Sequence, residues 1–124
     1  MILVDTSVWI DFFRGRPGLG RLAELIRDGS ALVHPWVIGE IALGSLGARR
    51  AVILADLGLF PIPPVVPPEE LLAFVEHHGL GGTGLGLVDV QIMASARLAG
   101  AGLVTRDRRL AEAWCRVSPG SREP

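Results

Sequence analysis

Four acidic residues stand at places in the sequence where their carboxylates could be gathered into one site: Asp5, Glu40, Asp89 and Asp107. Carboxylates that share a site repel one another, and each resists ionisation while no positive charge is near. A divalent cation removes this repulsion, and a site built only of oxygen ligands suits Mg²⁺ or Mn²⁺ better than Zn²⁺. Such a cation polarises a phosphoryl oxygen and lowers the pKa of a bound water. The sequence supplies no separate nucleophile, so we expect water to attack the substrate.

Two of the acids follow short apolar runs that we interpret as buried parallel strands. Asp5 directly follows the apolar residues 2–4, and Asp107 lies three residues beyond the apolar pair Leu103 and Val104. Ligands of open α/β sheets bind beyond the carboxyl ends of the strands. We therefore expect these two acids to lie at the same edge of one sheet.

The other two acids lie on predicted helices. Glu40 falls within the first turn and a half of the helix that follows a second strand at residues 31–33. Asp89 falls in the first turn of the helix that precedes the last strand. Because first turns of helices and carboxyl ends of strands can converge, the pattern predicts that all four carboxylates meet.

Strands alternate with helices along the whole chain, which predicts a single α/β domain over residues 1–124, with a parallel sheet and helices on both faces. Residues 59–66 are extended and proline-rich, and they are a candidate edge strand. We expect the polar tail, residues 118–124, to be disordered. The predicted helices cover residues 7–13, 19–28, 36–46, 49–57, 67–78 and 87–98, with a last one ending near Cys115.

The composition restricts the cellular setting and the partners. The formal net charge is -1, so bulk charge predicts no polyanion partner. One cysteine, Cys115, excludes an internal disulfide and fits a reducing cytosol, so we expect a cytoplasmic protein. No apolar run approaches the roughly 20 residues of a membrane span, and the first residues do not resemble a signal peptide.

Four segments around the acids resemble the acid-bearing segments of the PIN-domain family and, within it, the VapC toxins of bacterial toxin–antitoxin modules. They occur in the family's order and with family-like spacing, and together they span nearly the whole chain. The segments are residues 4–11 (VDTSVWID), 34–44 (HPWVIGEIALG), 84–96 (GLGLVDVQIMASA) and 103–110 (LVTRDRRL).

This resemblance implies a three-layer α/β/α domain with a central parallel sheet of four to five strands. The chain departs from the family at its C-terminus, where only residues 116–118 could supply the last strand, which leaves that edge of the sheet open. The resemblance implies Mg²⁺- or Mn²⁺-dependent cleavage of RNA phosphodiesters, with tRNA or rRNA as the substrate class. It also implies a homodimer and inhibition by a cognate VapB-type antitoxin that folds onto the toxin. Some of the aromatic residues near the N-terminus could line a groove for an antitoxin helix.

The resemblance also assigns roles to individual residues. The four acids would bind the metal directly or through water, with Asp107 the one expected to act through water or structure. Ser7 and Thr105 would orient the acids by hydrogen bonds. Arg106 and Arg108 could contact a substrate phosphate or an antitoxin carboxylate, or belong to a solvated helix face.

Each acid also has an ordinary structural interpretation. Asp5 and Asp107 could cap helices, and Asp89 could simply complement a helix N-terminus. Glu40 could be one more glutamate on a helix surface. Asp11 could be a fifth acid of the site or a solvated residue paired with an arginine.

Three rival functions compete with the nuclease. A phosphatase with an aspartyl nucleophile needs a second acid two residues after Asp5, where the chain has Ser7. A phospho-accepting receiver domain needs a lysine, and the chain has none. A catalytically inactive PIN-fold module that binds RNA or protein would tolerate loss of the acids, all of which are present.

Overall fold

A parallel sheet of three strands occupies the centre of the fold, and helices connect the strands. The computed structural model describes residues 1–119. A short 3₁₀ helix, Gly47–Arg49, precedes the fourth α-helix. The elements are β1 (Ile2–Val4), α1 (Thr6–Phe13), α2 (Gly20–Arg27), β2 (Ala31–Leu32), α3 (Pro35–Ala42), α4 (Arg50–Leu57), α5 (Pro68–His78), α6 (Leu87–Ala99), β3 (Gly102–Val104) and α7 (Arg108–Val117).

The strand order is β2-β1-β3, so the first strand is central. Leu3 pairs with Leu32 on one side and with Leu103 on the other. Leu3 and Val4 point to opposite faces of the sheet, and both are completely buried. The sheet is therefore covered on both faces, and the residues that follow β1 and β3 emerge at one edge.

Helix α6 is the most enclosed helix of the domain. Every residue from 90 to 96 is buried, including the polar Gln91 and Ser95, which must find partners inside the protein. The helix ends at Gly100, whose φ of 65° lies in the left-handed region that favours glycine. Among residues 1–119, no helix is long and apolar enough to cross a membrane.

The predicted edge strand at residues 59–66 is not formed. Prolines lack the N–H group that a strand ladder requires, and the segment contains Pro61, Pro63 and Pro64. It is held by single contacts instead: Val33 N donates to Pro61 O over 3.1 Å, and Ser95 Oγ donates to Pro64 O over 2.6 Å. The described chain thus has three strands, and the expectation of four to five was wrong.

Residues 116–118, which could have supplied a last strand, do not form one. Arg116 and Val117 belong to α7, whose buried residues Leu110, Ala113, Trp114 and Val117 follow helical spacing. Ser118 is the C-cap, and its N–H donates to Trp114 O over 2.8 Å. The tail that we expected to be disordered comprises residues 118–124. Of these, the structure describes residues 118 and 119, and residues 120–124 lie outside the described residues.

Candidate functional site

The Asp5 carboxylate is buried at the end of the central strand, with 4% of the residue exposed. Its Oδ2 accepts hydrogen bonds from Ser7 Oγ and Thr105 Oγ1, each over 2.7 Å. Asp5 occupies the N-cap position of α1, yet its side chain makes no cap hydrogen bond. The interpretation of Asp5 as a capping side chain was therefore wrong, and hydroxyl groups rather than the helix hold this charge.

The two hydroxyls that hold Asp5 are themselves oriented by the backbone after β3. Arg106 N donates to Ser7 Oγ, and Asp107 N donates to Thr105 Oγ1, each over 3.0 Å. Each hydroxyl therefore accepts from a backbone N–H and gives its own hydrogen to Asp5. Across residues 1–119, Asp5 Oδ1 accepts no hydrogen bond, which leaves this oxygen available to a ligand.

Glu40 lies on the exposed side of α3 and is drawn toward the start of α1. Its Oε1 accepts a hydrogen bond from Thr6 Oγ1 over 2.6 Å. Sequence reasoning assigned no role at the site to Thr6 and missed this contact. Its position directly after Asp5 was the one available signal, because a side chain there must emerge at the same sheet edge.

Asp89 lies in the first turn of α6, where its Oδ2 accepts from Gly86 N over 3.0 Å. Burial raises the pKa of Asp89 above its usual value, and the charges of Asp5, Asp107 and Glu40 raise it further. The Gly86 hydrogen bond opposes the increase. The other three predicted acids therefore all lie within electrostatic range of Asp89, as the sheet topology led us to expect.

Asp107 is both a member of this group and a helix cap. Its Oδ1 accepts from Leu110 N over 3.0 Å at the start of α7. The capping interpretation is confirmed for this residue, whereas its side chain remains exposed beside the other acids. One oxygen thus has a structural task, which suits a role at the margin of the site.

The donor set suits a hard cation, although it is not drawn together into a finished ligand sphere. Within residues 1–119, no three side chains of His, Cys, Asp or Glu are arranged as a metal site. Repulsion between carboxylates opposes such an arrangement, and Glu40, Asp89 and Asp107 each have a local hydrogen-bond partner. Asp5, Glu40, Asp89 and Asp107 remain the residues able to hold Mg²⁺ or Mn²⁺, with Asp5 the most rigidly held.

Three arginines border the acids and are held differently. Arg106 Nη1 lies 3.4 Å from Asp11 Oδ2. Asp11 is therefore paired with an arginine, which is one of the two interpretations offered for it above. Arg109 Nη1 donates to Gly84 O over 3.1 Å. Arg108 is exposed and has no hydrogen-bond or ion-pair partner in the described part of the chain. Arg108 is therefore the arginine best placed to receive an external anion.

Comparison with known proteins identifies relatives of the whole domain. The family model described as PIN domain matches residues 2–113. The chain is 49% identical over 113 residues to "Ribonuclease VapC32" of Mycobacterium tuberculosis, in strains CDC 1551 / Oshkosh and ATCC 25618 / H37Rv, covering 89% of this chain and 87% of the relative.

A solved structure shares the fold. The crystal structure of PAE2754 from Pyrobaculum aerophilum superposes with a TM-score of 0.65, covering 90% of this chain and 83% of that one. The two sequences are 20% identical, so this likeness concerns the fold alone.

Replacing Asp89 by Asn tests whether the acids strain the folded protein. In EDTA at pH 7 we expect Asp89→Asn to be more stable than the parent, because the raised pKa of Asp89 means that its charged form is disfavoured in the folded protein. Asn keeps an oxygen for Gly86 N and removes the disfavoured charge. The gain should shrink as the pH falls, because the parent then protonates Asp89. Calorimetric unfolding measures the difference.

The matched control is Asp11→Asn, which removes a carboxylate that already lies beside Arg106. No gain in stability is expected there. An Asp89→Asn protein that is less stable than the parent at pH 7 would contradict mutual repulsion at the site.

Proposed function

The chain belongs to the PIN-domain family, as a VapC-type member, and from this premise we propose that it is an endoribonuclease toxin that hydrolyses RNA with the help of Mg²⁺ or Mn²⁺. The observation that carries the proposal is the convergence of four carboxylates at one sheet edge, with Asp5 buried and oriented. The relatives named ribonuclease support the reaction class. The catalytic group is Asp5, Glu40, Asp89 and Asp107.

The chain's own residues prepare the site before substrate arrives. Ser7 and Thr105 fix one oxygen of Asp5, which directs the other oxygen toward the shared site. Thr6 orients Glu40, and the backbone of Gly86 orients Asp89. A bound Mg²⁺ or Mn²⁺ would supply Lewis acidity to a phosphoryl oxygen and acidify the attacking water. Asp107, which caps α7, would act from the margin of the site.

Arginines beside the acids would bind the negatively charged backbone of the substrate. Arg108 carries an exposed guanidinium next to Asp107, and we assign it the main phosphate contact. Arg106 adds positive charge at the same edge while paired with Asp11. We propose tRNA or rRNA as the substrate class, because structured RNA is recognised by its shape and backbone. We propose the cytoplasm as the location.

A groove lined largely by aromatic residues of α1 suits the proposed antitoxin partner. We use "aromatic groove" for the depression lined by Trp9, Phe12, Phe13, Ile26 and Phe60 together with residues 56, 57 and 59. Trp9 and Phe13 are stacked with ring centroids 6.0 Å apart, and Phe12 is 37% exposed. An amphipathic antitoxin helix could bury the exposed ring of Phe12. We also propose that the toxin works as a homodimer.

Substitution of the two innermost acids tests the cleavage reaction. With Mg²⁺ or Mn²⁺, Asp5→Asn and Asp89→Asn should each lose about 100-fold or more in RNA cleavage, since outer-shell groups alone are worth about 10–100-fold. EDTA should abolish cleavage by the parent. Asp28→Asn, an exposed acid at the end of α2, should cleave normally.

Sequencing the RNA ends from this assay would identify the substrate and the bond. Cleavage that persists in both variants or in EDTA would refute the metal-dependent mechanism. A parent chain that binds RNA but never cuts it would favour the catalytically inactive PIN-fold module.

Removal of Arg108 tests the phosphate contact. Arg108→Ala should raise KM for RNA while kcat stays near the parent value, because the guanidinium acts on binding. The slope of log affinity against log salt should fall by about 1, as expected for one lost phosphate contact. Arg27→Ala, at the far end of α2, serves as the control. An unchanged salt slope in Arg108→Ala would remove this residue from the substrate site.

Growth of a bacterial host tests the antitoxin. Expression of the parent chain should stop growth, and co-expression of the small protein encoded beside it should restore growth. Phe12→Asp should remain toxic under co-expression, because a charge in the aromatic groove opposes burial of an apolar helix. Asp5→Asn should be harmless throughout. Harmless expression of the parent chain would count against a toxin, and rescue of Phe12→Asp would place the antitoxin elsewhere.

A further inference from the structure

A completely buried histidine joins two of the elements that carry acids. His34 is the N-cap residue of α3, and its Nδ1 accepts from Trp36 N over 2.9 Å. A backbone N–H can only donate, so Nδ1 carries no proton and the ring hydrogen is on Nε2. That Nε2 lies 3.2 Å from Gln91 Oε1 and donates to it. The ring is thus neutral with a defined tautomer.

Gln91 completes the connection from α6. Its Oε1 also accepts from Val66 N over 2.7 Å, and its Nε2 donates to Val66 O over 3.1 Å. The backbone of Val66 therefore determines which end of the amide is oxygen. Both groups are completely buried, and burial lowers the pKa of His34 while the Gln91 hydrogen bond partly offsets this. The pair stays neutral, and each of its side-chain nitrogen and oxygen atoms has a hydrogen-bond partner.

The connection joins the two helices that carry Glu40 and Asp89. Helix α3 begins at His34 and carries Glu40, whereas α6 carries both Asp89 and Gln91. In the described residues, the His34–Gln91 hydrogen bond is the only side-chain hydrogen bond between these two helices and their caps. Asn or Ser would cap α3 equally well but is too short to extend from Trp36 N to α6.

We propose that His34 and Gln91 are positioning residues that fix the helices of Glu40 and Asp89 relative to each other, so that both acids can bind one divalent cation. The proposal rests on the proposed metal-dependent function. His34 has two ring nitrogens on different sides, so one caps the helix of Glu40 while the other grips the helix of Asp89. The burial of this polar pair then serves the geometry of the acids as well as the stability of the fold.

The test compares two buried side chains, His34 and Ser95, each of which connects α6 to another part of the chain. His34→Asn keeps an oxygen for Trp36 N and loses the contact with Gln91. Ser95→Ala is the matched control, because Ser95 also joins α6 to the proline-rich segment, through Pro64 O, and does not contact His34. Both variants should unfold at lower temperatures than the parent. Mn²⁺ binding, by calorimetric titration well below those temperatures, should weaken about tenfold in His34→Asn and stay unchanged in Ser95→Ala.

Two further readouts separate positioning from simple loss of stability. In His34→Asn, kcat should fall while KM for RNA changes little. Adding Gln91→Met to His34→Asn should cost little more Mn²⁺ affinity, because both substitutions break the same connection. Long-range ¹⁵N–¹H spectra of the parent should show His34 with a bare Nδ1 and a protonated Nε2 at pH 7.

The outcomes distinguish the two levels of the proposal. A parent chain that binds no Mn²⁺ would overturn the metal-dependent function and this inference together. If the parent binds Mn²⁺ and His34→Asn binds it as tightly as Ser95→Ala does, the positioning role alone is refuted. A His34 ring with the proton on Nδ1 would refute it as well.

Discussion

The burial of the Asp5 carboxylate at the end of the central strand constrains the rest of the structure. Removing a charge from water costs several kcal/mol unless hydrogen bonds replace the lost hydration. For Asp5, the hydroxyls of Ser7 and Thr105 supply two of these bonds. Those hydroxyls are held in turn by the backbone N–H groups of residues 106 and 107, so the path of the chain after β3 is tied to the charge at the end of β1.

The same charge explains how the other acids are held. Carboxylates brought near Asp5 gain no stability from one another: burial raises the pKa of Asp89, and the charges of Asp5, Asp107 and Glu40 raise it further. Each remaining acid therefore depends on a local donor: Thr6 Oγ1 for Glu40, a backbone N–H for Asp89 and another for Asp107. Bringing these negative charges together lowers the stability of the folded protein, as is common at sites that later bind a cation.

The proline-rich segment and α6 solve a related problem inside the core. Prolines at 61, 63 and 64 prevent a fourth strand beside β2, which leaves backbone carbonyls that need donors. Ser95 and Gln91 provide them from a helix that is otherwise enclosed by apolar residues. The Oε1 of Gln91 accepts from both Val66 N and His34 Nε2. The residue that satisfies the backbone of the proline-rich segment therefore also connects the helices of Glu40 and Asp89.

The sequence by itself determined the elements and the direction in which the acids emerge. Apolar periodicity and terminal glycines predicted the helices, and the apolar runs before Asp5 and Asp107 placed both acids at one sheet edge, because these signals depend on neighbouring residues. Only the tertiary structure decided the partners of each acid and the extent of the sheet. Thr6 and Glu40 are 34 positions apart, and Thr105 and Asp5 are 100 apart, so no local pattern could reveal those bonds. Residues 116–117 likewise became helical because Val117 completes the buried stripe of α7, a preference that packing against the core decides.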